Sequence, residues 1–121
     1  MMANICLEDC RILKHIIDIL SDIYGLRVDA DCFFKTHKAI IHSSLNDMYN
    51  EVKEIIFAEE DNDREIILNC TIRSVDSLTK KFENWKSWKD DKNVFEHEIK
   101  LCCRIRSNLI GWLGIVKMTK G

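Results

Sequence analysis

The sequence predicts an all-α fold, a single four-helix bundle formed by residues 1–121 as one domain. Three observations carry that prediction. Proline is absent and glycine occurs only at Gly25, Gly111, Gly114 and Gly121, so the chain lacks the residues that punctuate β-rich folds. Apolar residues recur at helical spacing in four long segments. The connections between those segments look short, about residues 25–32, 59–63 and 89–93, which favours antiparallel neighbours running up-down-up-down around one core.

The first segment, roughly residues 5–24, places Cys6, Cys10, Leu13, Ile17, Leu20 and Tyr24 on one stripe, with Glu8, Arg11, His15, Asp18 and Asp22 opposite. Gly25 follows and suits a left-handed C-cap. The second, roughly 33–58, carries Ile41, Leu45, Met48, Val52 and Ile55 and ends in the acidic stretch EEDND. Asn62 and Glu65 are spaced as a capping box for the third, whose stripe is Leu68, Ile72, Val75, Leu78, Phe82 and Trp85. Its end falls either near Lys80 or beyond it. Asn93 and Glu96 form a second capping-box pair ahead of Phe95, Ile99, Cys102, Ile105, Leu109, Trp112 and Val116. In that last segment GWLG sets two small residues three apart, where another helix can approach closely.

Composition bounds the function. With 46% hydrophobic and 31% charged residues and a net charge of −2, neither disorder nor nucleic-acid affinity is written into the overall balance. The basic residues lack the interleaved exposed aromatics of single-strand binders, so nucleic acid is not an expected partner. The longest apolar run, residues 109–116, is far short of the ~20 residues of a membrane span. Catalysis finds no support. His15, His37, His42 and His97 are scattered, and no phosphate loop, nucleophile elbow or H-E-x-x-H occurs. No cofactor is implied, and Cys6 with Cys10 offers a metal only half of a ligand set.

Cysteine is the more informative residue. Cys10 and Cys102 fall on apolar stripes, where burial as small apolar groups competes evenly with a disulfide. Cys70 shares a polar face with Ser74, Ser77 and Lys81, and an exposed thiol is a hazard unless it is paired or used. Cys6, Cys10, Cys32, Cys70 and Cys102 are therefore disulfide candidates, without a fixed connectivity. Cys102 and Cys103 point about 100° apart, so they cannot both face one partner. Asn69-Cys70-Thr71 has the form of a glycosylation triplet, with Asn69 on the solvent side. Trp88 is a candidate contact anchor beside Lys86 and Asp90. The run from Lys100 to the end is basic and stands against the acidic turn at 59–63.

The segments ILNCT (Ile67 to Thr71) and CFFKTH (Cys32 to His37) together resemble stretches of the short-chain four-helix cytokines of the interleukin-seven kind. The resemblance covers about a tenth of the chain. It implies a secreted bundle with a few disulfides, a glycan and a cell-surface receptor as partner, engaged through the first and last helices. On that reading Arg11, Lys100, Arg104 and Arg106 would be receptor contacts. Such a fold has two long crossovers, which a third helix ending near Lys80 would allow by freeing KFENWKSWKDDKN. The competing expectation is a cytoplasmic, viral-type helical module that binds a host protein's helix in a groove. It is favoured by the Ile-, Lys-, Asp- and Asn-rich composition and by an opening, MMANICLEDC, without the pattern of a signal peptide.

Overall fold

The structure is a computed structural model that describes residues 10–33, 35–87 and 95–120. Four helices account for nearly all of them: α1 (Cys10–Ala30), α2 (Lys35–Phe57), α3 (Asp61–Ser87) and α4 (Glu96–Lys120). They pack α1 on α2, α2 on α3, α3 on α4 and α4 back on α1, closing a four-helix bundle with α1 diagonal to α3. No strand occurs among the described residues.

Polar contacts between neighbours fix the direction of each helix. His15 meets Asn108, Asp22 meets Arg104 and Asp29 meets His97, so α1 and α4 are antiparallel. Lys86 with Glu96, Asp76 with Arg106 and Glu65 with Lys117 make α3 and α4 antiparallel in the same way. Arg27 on Asn46 and Glu51 on Ser74 complete the circuit. The short links dictate this result. Residues 31–34 can reach at most about 14 Å, less than half the ~31 Å of the 21-residue α1. The connectivity is therefore up-down-up-down, without the two long crossovers that the cytokine resemblance implies. α3 runs on to Ser87 rather than stopping near Lys80.

One stripe per helix builds the core. Ile41, Leu45, Met48, Val52 and Ile55 of α2 are buried as their spacing predicts, and so are Leu68, Val75, Leu78 and Phe82 of α3. From α4 come Cys102, Ile105, Leu109, Val116 and Trp112, a fully buried side chain. α1 departs from expectation. Its buried stripe is Ile12, Ile16, Ile19, Ile23, Leu26 and Ala30, whereas Leu13, Ile17 and Tyr24 lie outside. Asp22, expected on the solvent face, is buried.

Helix ends differ from the capping boxes read in the sequence. Glu60 accepts the first α3 bond, from the Arg64 amide, so the cap lies two residues before Asn62. Phe95 plays that part for α4, accepting from the Ile99 amide, and does so at φ 66°. Its ring explains the choice: it is buried against Phe33 at 5.0 Å and Phe82 at 5.5 Å, and aromatic burial outweighs a left-handed backbone cost of about 1–2 kcal/mol. Asn93 and Trp88 lie outside the described residues. Gly25 is no cap, because α1 continues for five residues beyond it.

Candidate functional site

α1 is apolar on two stripes. Its sequence runs in doublets, Ile12-Leu13, Ile16-Ile17, Ile19-Leu20 and Ile23-Tyr24, one for nearly every turn. Adjacent residues project about 100° apart on a helix, so one member of each doublet enters the core and the other cannot follow it. Ile17 is 57% exposed, Tyr24 67% and Val28 49%. Leu13 is exposed as well, and Leu20 half-buried. This outer stripe borders α2. Where it meets Tyr49, a cavity of about 320 Å³ opens, lined by Leu20, Ile23, Tyr24, Arg27 and Tyr49. Contiguous apolar surface of this kind on a small protein marks an interaction site more often than scattered single residues do.

A second, polar cavity of about 390 Å³ lies between α2 and α3. Here Cys70 is half-buried and its sulfur accepts from Arg73 Nη2 at 3.2 Å, on the polar face with Ser74, Ser77 and Lys81 that its spacing predicts. Ser74 donates to Glu51 at 3.2 Å. Burial raises the Glu51 carboxyl, with the Ser74 bond pulling the other way. No histidine lines this cavity. Beside the thiol the cavity presents Arg73 and Lys81 as cations and Asp47 and Glu51 as carboxylates.

The described cysteines, Cys10, Cys32, Cys70, Cys102 and Cys103, are all free, which corrects the expectation of disulfides at Cys10, Cys32, Cys70 and Cys102. Register gives the reason. The antiparallel contacts set Cys102 level with Ile23, about 20 Å along the axis from Cys10, while a disulfide needs Cα atoms within roughly 7 Å. Cys10 and Cys70 do stand at nearly one level, but on diagonal helices with the core between them. Cys102 is buried, and desolvation pushes its thiol up to about 12. Cys6 lies outside the described residues. The triplet at Asn69 is helical. Asn69 is half-buried with its amide donating to the Glu65 carbonyl at 3.0 Å, and Thr71 is fully buried.

The four basic residues offered as receptor contacts, Arg11, Lys100, Arg104 and Arg106, lie on α1 and α4 and are all exposed. Arg104 turns toward α1 and donates to Asp22 at 3.0 Å, while Arg106 turns toward α3 and donates to Asp76 at 2.8 Å. Arg11 and Lys100 are exposed near opposite ends of the bundle. One arginine went unnoticed in the sequence: Arg64 is buried, donates to Asp61 at 2.7 Å and to the Ala58 carbonyl, and so clasps the α2–α3 turn. Among the described residues no group of three or more His, Cys, Asp or Glu side chains is placed to hold a metal ion, and no helix is long and apolar enough to cross a membrane. Compared with known proteins, the chain matches no family model, no curated protein and no solved structure.

Proposed function

We propose that this bundle is a non-enzymatic protein-binding module that works inside the cell, and that it binds its partner protein along the outer stripe of α1. One observation carries the reading: Leu13, Ile17, Tyr24 and Val28 recur over four turns of a helix whose core-facing stripe is already complete without them. Exposing that much apolar surface has no benefit for the isolated fold, and covering it with a partner returns about 25 cal/mol for each Å² buried. Free thiols held apart by the helix register support a reducing compartment. The secreted-ligand reading draws on the exposed positions of Arg11, Lys100, Arg104 and Arg106, but the short connections and free cysteines weigh against it.

Selection of a displayed random-peptide library on the folded protein tests the reading. Peptides should be enriched whose binding is lost on Ile17→Glu and on Tyr24→Glu, with both variants retaining a cooperative melt. Enriched peptides indifferent to both substitutions would place the binding face elsewhere.

A further inference from the structure

We infer that the occupant of the α1–α2 groove is a single amphipathic helix of a partner protein that carries carboxylates beside its apolar stripe. The inference rests on the reading of α1 as the binding face and adds the partner's chemistry. Length is the first argument. From Leu13 to Val28 the outer stripe extends about 22 Å, which matches four turns of a helix laid along it and exceeds what a loop tip would cover. The cavity where Tyr24 meets Tyr49 gives one large apolar side chain of such a helix a place to anchor.

Charge is the second argument and sets the sign. Arg27 lines the cavity and spends one guanidinium nitrogen on the neutral Asn46, at 3.0 Å. Lys53 lies over the Tyr49 ring, 6.0 Å from its centroid. Among the described residues neither cation has a carboxylate within ion-pair distance, and no acid lines the cavity. A second exposed apolar site, Phe57 and Ile66 at the α2–α3 turn, is instead lined by Glu54 and Asp63. The two apolar sites are therefore of opposite sign, and a carboxylate placed beside Arg27 or Lys53 gives that cation the acidic partner that the fold itself does not supply.

The test uses two designed helical peptides with the same leucine stripe, one flanked by glutamates and one by lysines, titrated by fluorescence anisotropy onto the full chain. The glutamate peptide should bind at least about tenfold more tightly, and the double variant Arg27→Glu, Lys53→Glu should reverse the order. Equal affinity of the two peptides, or no reversal, overturns the inference. The module reading would survive that outcome if library peptides still required Ile17, so the two failures are distinguishable. Two further results would also overturn it: a dimer at micromolar concentration that Tyr24→Glu or Asp63→Lys dissociates, which makes a second copy the occupant, or binding of the folded protein to phosphatidylserine vesicles stronger than to the glutamate peptide.

Discussion

Individual side chains already separate this molecule from a disulfide-held one. Cys102 is enclosed and its thiol is held near 12, so almost none of it is the reactive thiolate at ordinary pH. Cys10, Cys32 and Cys103 are exposed. Brief alkylation of the native protein near pH 8, read by peptide mass, should modify those three and leave Cys102 unmodified until denaturant is added. Early labelling of Cys102 would mean that its surroundings open far more readily than its burial implies. Glycines give an equally sharp ordering. A Cβ at Gly25 would meet only Leu101 Cδ1, at 3.5 Å, and at Gly114 it would meet nothing within 4 Å. Both sit inside helices, so Gly25→Ala and Gly114→Ala should each stabilise by about 0.5–1 kcal/mol. At Gly111 the same Cβ would lie 2.7 Å from the His15 ring, which itself lies 2.7 Å from Asn108. Gly111→Ala should therefore forfeit the gain and lose that hydrogen bond, ending neutral or about 1 kcal/mol less stable. Urea midpoints of the three variants check the order, and equal gains would remove the close approach assigned to Gly111.

Elements were legible in the sequence to the degree that each carried a single stripe. In α2 only one face was apolar, so spacing alone named the buried residues. In α4 the stripe named Cys102, Ile105, Leu109, Trp112 and Val116 but not the buried Leu101, Leu113 and Ile115, which stand in apolar doublets, while the polar position of Cys70 on α3 followed from the wheel. α1 failed for a physical reason. With doublets at nearly every turn it had two faces able to enter a core, and the intrinsic pattern does not say which one meets α4. What decides is tertiary: the face holding Ile12, Ile16 and Ile19 lies between residues that reach α4, such as His15 and Asp22, and those that border α2, such as Leu20 and Arg27. The doublets were the missed sign of the candidate site. At the helix ends, Phe95 displaced the expected polar cap because its ring belongs to the aromatic group of Phe33, Phe82 and Trp85. Phe95→Gly should thus relieve the backbone and still destabilise by about 2 kcal/mol or more, since ring burial exceeds the strain. A variant more stable than the parent in thermal melts would reverse that ranking.

Across the whole molecule, the seam between α1 and α4 sets how stability responds to pH. It holds Asp22 against Arg104, with Asp22 Oδ2 lacking a hydrogen-bond partner among the described residues, and about two turns further along Glu98 beside Asp29 and His97. Burial raises the Asp22 carboxyl more than Arg104 lowers it. Burial raises Glu98 too, as does the hydrogen bond it shares with Asp29, and Glu51 is raised by burial on the far side of the bundle. A carboxyl whose folded value lies above its unfolded one binds protons more tightly in the native state, so stability falls as pH rises through that window and is recovered as pH falls back toward the unfolded value near 4. Asp31 acts in the opposite sense, lowered by bonds from Lys38 and His42, and its contribution disappears on acidification; being fully at the surface, it is the weaker influence. The net expectation is a denaturation midpoint higher at about pH 5 than at about pH 7.5, with the difference shrinking in the double variant Asp22→Asn, Glu98→Gln. These two neutral substitutions should at the same time raise stability at the higher pH, because each removes a charge that the fold desolvates without fully pairing. A parent midpoint that declines steadily from neutral to pH 5, or a double variant that keeps the parent's slope, would show that the surface pairs and not the α1–α4 seam govern the acid side of this bundle.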